Sequence, residues 1–339
     1  MSQNESKKID PLKEMKKLQV EFFRACDELR QAKDRGTRKA LERRINELKV
    51  DLGWRFLDCG QHEKGLALYA SLPSRSYGEI KCNGMSRALV AMGRYDEARQ
   101  LLDKGLKRFP QSYSLWVGMG AFEGDIGNDF EALECFETAM RFASENDSTA
   151  RFNKAQTLRK LGSYGDAIAI LKDLIRKDPQ DTRNFILMGS CHLDMGYPEE
   201  ALQEYRLAME LWQENQTAYE GSSIYMGLYM AYRAQGMLRE AMVVAEEGLK
   251  RFPDEDPGLY QNLGDAYCAM GWRNDATTIL KEGIEKFPED EELKEVLKDM
   301  EDTMDDPDGG KNPPILGLLV LMALLRKRFG KGRKGRTGR

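Results

Sequence analysis

The chain has 339 residues, 41% of them hydrophobic and 32% charged, which excludes a disordered polymer and describes a helix-prone molecule with material for a sizeable core. Its net charge of −4 conceals an asymmetry: eight Lys and Arg follow from Arg326 onward, leaving 44 bases against 56 acids, or −12, in all that precedes them. Six cysteines, no two closer than 23 residues, and only two histidines argue against a zinc or CxxC site and remove the commonest general acid–base group.

Scattered cysteines of this kind read as small core hydrophobes in a reducing, cytoplasmic compartment. The opening MSQNESKKID has no apolar stretch of the secretory type. Asp10-Pro11 is a helix start, with Asp as N-cap and Pro in the first turn. Leu12, Met15, Phe22, Cys26 and Leu29 follow at heptad-like spacing, broken by Gln19, and Thr37 is placed to cap a second helix that runs on past residue 45. Residues 1–45 are therefore expected to form an N-terminal helical cap, with dimerisation through its helix as the alternative.

A repeat then takes over. A glycine followed five residues later by a small residue recurs as Gly60/Gly65, Gly93/Ala98, Gly127/Ala132, Gly162/Ala167, Gly196/Ala201, Gly236/Ala241 and Gly271/Ala276. Seven residues before each glycine stand Gly53, Ser86, Gly120, Ala155, Gly189, Tyr229 and Gly264, all small but one. Four residues after each small partner stand Tyr69, Leu102, Phe136, Leu171, Tyr205, Ala245 and Leu280, mostly large. Prolines at 110, 179, 253 and 288 close four of the units. Small residues let two antiparallel helices approach, and large ones fill the space between them. The recurring glycine suits a left-handed position that ends the first helix, and proline stops the second. Each unit is a helical hairpin whose apolar face only its neighbours can cover.

These residues, most clearly YQNLGDAYCAMGWRNDATTILKEGIEKFP (260–288) and LWVGMGAFEGDIGNDFEALECFETAM (115–140), resemble tetratricopeptide repeats. The resemblance implies an all-α, right-handed α-solenoid of about seven hairpins with capping helices at both ends. The units fall at about 46–78, 79–112, 113–147, 148–181, 182–221, 222–256 and 257–290. The first departs most, with Gly65 for the usual Ala and an early Pro73, and the fifth carries about six extra residues that read as a longer loop near 216–221.

Residues 289–308 hold eleven acids against two lysines and read as a polar helix and linker sealing the last repeat. After GGKNPP, residues 309–339 combine Ile315, Leu316, Leu318, Leu319, Val320, Leu321, Met322, Leu324 and Leu325 with Arg326, Lys327, Arg328 and further basic residues. The eleven apolar positions from 315 make a helix of about 16 Å, against a hydrocarbon core of about 30 Å. That is too short to span, but it can lie in one leaflet with the bases at the headgroups. Docking on the protein itself, on another subunit or, through the Gly/Arg tail, on RNA or DNA are the alternatives, although the acidic body and a single Phe329 make nucleic acid the poorest fit.

No catalytic constellation is present: no phosphate loop, no GxGxxG, no HExxH and no GxSxG, so no enzyme, cofactor or metal is expected. The expected work is binding, by a non-enzymatic adaptor. In tetratricopeptide proteins the first helix of each unit lines the concave surface, and positions 2, 5, 9, 12 and 13 of each unit face inward. Here the resemblance places Trp54, Asn83, Arg87, Phe152, Gln156, Arg159, Arg183, Met226, Met230 and Arg233 in that groove, with Ser190, Gln261 and Asp265 beside them. Arginine forks suit carboxylates, so an acidic peptide or a free C-terminus is the expected ligand. The competing reading is that these arginines pair with acids of the chain such as Asp125 and Asp194. The carboxylate clamp by which some family members hold chaperone C-termini needs a lysine at the second position of a unit. None of Glu47, Ile80, Ser114, Thr149, Arg183, Ser223 or Gly258 supplies it.

Overall fold

The computed structural model describes residues 11–144, 147–215 and 220–304, and every regular element among them is an α-helix. The chain divides into two compact units between Pro179 and Gln180. The first contains α1 (Pro11–Gln31), α2 (Arg35–Asp58), α3 (His62–Ala70), α4 (Ser74–Ala91), α5 (Tyr95–Arg108), α6 (Tyr113–Asp125), α7 (Asp129–Met140), α8 (Thr149–Lys160) and α9 (Tyr164–Lys177). The second contains α10 (Thr182–Asp194), α11 (Pro198–Asn215), α12 (Gly221–Ala234), α13 (Leu238–Arg251), α14 (Gly258–Ala269), α15 (Arg273–Lys286) and α16 (Glu291–Met304).

From α2 onward the helices pair as consecutive hairpins. First helices also touch first helices: α2 packs on α4, α4 on α6 and α6 on α8, and in the second unit α10 on α12 and α12 on α14. Each unit thus presents a continuous layer of first helices. The joints are made as the residue pattern requires. Gly60, Gly93, Gly127, Gly162, Gly196, Gly236 and Gly271 all have φ between 71° and 86°, where a Cβ is strained. The next residue donates its N–H to the carbonyl five positions back, as Arg94 does to Leu89 and Trp272 to Tyr267, both at 2.8 Å, which satisfies carbonyls orphaned at the helix end. Helices α5, α9, α13 and α15 each stop two residues before a proline.

The alternation of size is the core. A Cβ on Gly53 would stand 2.7 Å from the Tyr69 ring, one on Gly120 2.6 Å from Phe136 and one on Gly189 3.0 Å from Tyr205. The same rings press into the following hairpin, where a Cβ on Gly84 would stand 2.5 Å from Tyr69 and one on Gly227 would run into Tyr205. Tyr69, Leu102, Phe136, Leu171, Tyr205 and Leu280 are at most 2% exposed. Burying a side chain of this size contributes roughly 1.5–3 kcal/mol, so this seam dominates the cohesion of each unit. The sixth hairpin inverts the rule, with Tyr229 at the small position and Ala245 at the large one, both buried.

Two local expectations change. The cap of α2 is Asp34, whose carboxylate accepts the Thr37 N–H at 2.8 Å; Thr37 lies inside the helix, because Asp34 stands at the residue with extended backbone where a side chain can fold back. The extra residues of the fifth hairpin are in part helix: α11 has 18 residues where α9, α13 and α15 have 14. Its added turn is held by Trp212, which is buried edge-on against Phe252 at 5.9 Å. The early Pro73 shortens α3 to nine residues and sets the start of α4.

At the ends, α1 begins with Pro11 and lays Met15, Leu18, Phe22 and Ala25 on α2, while α16 packs on α15 with Leu293 and Met300 buried. All six cysteines are unbridged. Asp10 and the whole of residues 309–339, with the apolar and basic positions from Ile315 to Arg328, lie outside the described residues. No described helix is long and apolar enough to cross a membrane.

Candidate functional site

In the first unit, α2, α4, α6 and α8 bring Trp54, Asn83 and Arg87, Asp125, and Phe152 with Gln156, Arg159 and Lys160 into one layer. Trp54 is half-buried and fixed edge-on by the buried Tyr69, with ring centroids 6.2 Å apart. The guanidinium of Arg87 lies over that indole, 4.4 Å from its centroid. This is a cation–π contact, which orients the fork without neutralising it. No carboxylate among the described residues is within ion-pair distance of Arg87, although it and Lys160 both act on Asp125 through space. Burial raises the Asp125 carboxyl above its ordinary value, and the two cations work against that rise. Lys160 donates to the Gly124 carbonyl at 3.3 Å and stands 3.9 Å from Asp129. Asn83 lies against Gly118, where a Cβ would meet its Oδ1 at 2.5 Å, and that oxygen is buried without a hydrogen-bond partner.

Nearby, Tyr113 donates to Asp147 and accepts the Ala150 N–H at 3.0 Å, tying α6 to the start of α8. Burial and the hydrogen bond to Asp147 push its hydroxyl up to about 12. Beside Trp54, between α1 and α2, is a cleft of about 490 Å³ that also takes in Glu14, Lys17, Glu21, Asp51 and Asp58. Arg55 bridges Glu14 at 2.6 Å across it.

The second unit treats its arginines differently. Arg233 on α12 holds Asp265 of α14 through Nε at 2.9 Å, and Asp265 is only 5% exposed. Tyr229 donates its hydroxyl to the same carboxylate oxygen. Burial first, and then the Asp265 charge, raise Tyr229 far above the ordinary phenol range. The misfit aromatic of the sixth hairpin is therefore the floor of a buried Tyr–Asp–Arg cluster that joins α12 to α14. Met226 lies over the start of α14, its sulfur 3.0 Å from where a Gly258 Cβ would stand, and Met230 is half-buried one turn on. Arg183 sits in the first turn of α10 and closes a fork on Asp181, with Nε to Oδ1 at 2.9 Å and Nη2 to Oδ2 at 2.8 Å.

The structure thus brings Trp54, Asn83 and Arg87 together, and separately Met226, Met230 and Arg233. Two further participants escaped the sequence reading. Lys160 stands at the thirteenth position of its unit, which the inward count covers, so that signal was present. Tyr229 looked only like an exception to the size rule, and nothing in the sequence alone points its hydroxyl at Asp265.

Comparison with known proteins agrees with this geometry. Residues 84–122 and 232–299 match family profiles described as tetratricopeptide repeat, and residues 127–208 match that of anaphase-promoting complex, cyclosome, subunit 3. Among curated proteins, heat shock protein STI1 of Saccharomyces cerevisiae is 25% identical over 127 residues, 36% of this chain and 22% of that one. The chain therefore spans under a quarter of that relative. Among solved structures, the APC/C hetero-tetramer Cut9–Hcn1 superposes with a TM-score of 0.60 at 18% identity, over 77% of this chain and 51% of that one. A tetratricopeptide repeat protein from Parabacteroides merdae gives 0.56 at 16% identity, over 75% of this chain and 98% of that one. The chain is a tetratricopeptide-repeat protein.

Proposed function

We propose that this tetratricopeptide-repeat scaffold holds a carboxylate-bearing partner segment, acidic in its side chains or ending in a free C-terminus, against the first-helix layer of its first unit. In the same reading, residues 315–328 tether the complex to the cytoplasmic face of an anionic membrane. The observation that carries the first part is Arg87, stacked at 4.4 Å on Trp54 with no carboxylate among the described residues within ion-pair distance. A guanidinium already oriented loses little freedom when a carboxylate docks on its edge. Lys160, 3.9 Å from Asp129, adds a second cation, and Asn83, Phe152, Gln156 and Arg159 belong to the same layer of first helices. Arg183 and Arg233 already hold carboxylates of this chain, so in the second unit Met226 and Met230 are left to supply adaptable apolar contact.

The tether rests on sequence: eleven apolar residues from Ile315 and the bases beyond them supply the two signals that stable peripheral attachment needs. Neither kinship nor fold brings a particular ligand, and the clamp lysine is missing from every unit.

The groove is tested by calorimetry of the full chain with an Asp/Glu-rich decapeptide ending in a free carboxylate, and with its Gln, C-amidated counterpart. Arg87→Glu should weaken the acidic peptide at least tenfold, and Arg183→Glu should change it little; equal binding of both peptides removes the site. The tether is tested by flotation on phosphatidylserine vesicles of the full chain and of a chain ending at Asp308. Only the full chain should float. If neither does, and the segment crosslinks to protein, it docks on protein instead.

A further inference from the structure

The packed side of α1 leaves its opposite side to solvent, and that side is not uniformly polar. Val20 and Phe23 are 69% and 64% exposed, one turn apart, on the face away from Met15, Leu18, Phe22 and Ala25. Lys16 and Asp27 continue the same stripe one turn further out on either side, at the helical spacings that share a face. We propose that this stripe is a self-association surface, on which α1 of a second copy of the chain lies antiparallel.

The argument is the symmetry of the stripe. In a two-fold antiparallel pair, residues equidistant from the centre meet, and here the centre falls between residues 21 and 22. Val20 then meets Phe23 of the second copy, and Lys16 meets Asp27 of the second copy, each contact occurring twice. The charges are opposite where they meet, and the apolar pair is central. Lys16 has no ion-pair partner among the described residues. Asp27 gives Oδ1 to Arg30 at 2.8 Å, which leaves Oδ2 for an incoming ammonium. Two apolar side chains per copy fall well below the roughly 800 Å² per partner of a stable interface, so the dimer is weak, micromolar or above.

Sedimentation velocity of the full chain over a concentration series tests this with Lys16→Asp, Asp27→Lys and the double variant. These surface positions do not bear on folding, and any other route of association is common to all four proteins. Each single reversal places like charges face to face twice and should weaken the dimer about tenfold, while the double variant restores it. Val20→Glu with Phe23→Glu should abolish it. A chain that stays monomeric up to hundreds of micromolar overturns the proposal. So does association that ignores the charge reversals, which would indicate another surface or a different partner for α1.

Discussion

Arg87 in the first unit and Arg233 in the second belong to equivalent layers of first helices, yet they do different work. Arg233 faces a helix that offers Asp265, and Tyr229 reaches the same carboxylate, so the guanidinium is committed to holding α12 on α14. Arg87 has no carboxylate within ion-pair distance among the described residues, Asp125 of the next helix acting on it only through space, and its support comes from the indole beneath it. An inward arginine is thus committed to the fold or left for the proposed ligand according to how near the next repeat sets a carboxylate.

The sharpest way to break that contrast is to remove each arginine in turn. Arg233→Ala strands a buried carboxylate and should cost the second unit about 3 kcal/mol, read as a denaturation midpoint together with faster amide exchange in α12 and α14. Arg87→Ala forfeits only a half-exposed cation–π contact, worth about 0.5–1 kcal/mol, and should leave α4 protection nearly unchanged. Equal losses would mean that both arginines are structural. A smaller effect separates the close-packed glycines from an open one. Gly120→Ala and Gly227→Ala drive a Cβ into the Phe136 and Tyr205 rings, so each should destabilise its unit by about 1–3 kcal/mol despite the better helix propensity. Gly165→Ala, with nothing within 4 Å, should instead stabilise by a few tenths to about 1 kcal/mol.

How far the sequence could be read depends on the range of each interaction. The glycines with positive φ, the small-against-large pairing from Gly53 with Tyr69 to Gly264 with Leu280, and the proline stops are fixed within one hairpin, and all were legible. The partner of Arg233 lies 32 residues away and depends on Tyr229 having exchanged sizes with Ala245, which the pattern registers only as an irregularity. The added turn of α11 was legible as extra length but not as helix, because its anchor is Trp212 against Phe252 in the next hairpin.

The two units should also answer alkali in the same direction. Tyr113 in the first and Tyr229 in the second are both raised above the ordinary phenol value, chiefly by burial, and so favour the neutral form in the fold. Their contribution is therefore complete below pH 10 and is lost as the pH climbs through the folded values, about 12 for Tyr113 and higher for Tyr229. Thermal melts at pH 9 and 11.5, on the wild type and on Tyr113→Phe, should show a smaller alkaline loss for the variant.

The smallest effect concerns the helix that carries Trp54. Asp34 is fully exposed, yet its carboxylate is held below the usual range by hydrogen bonds from Thr37, so the cap persists above the ordinary carboxylate value and is lost as pH falls through the lowered one. Asp34→Ala should speed exchange of the Thr37 amide at neutral pH by several-fold and abolish its acid dependence. Thr37→Ala retains the amide and should keep most of the protection. If the two variants behave alike, the hydroxyl rather than the backbone N–H is what Asp34 holds, and the first turn of α2 is fastened by its threonine after all.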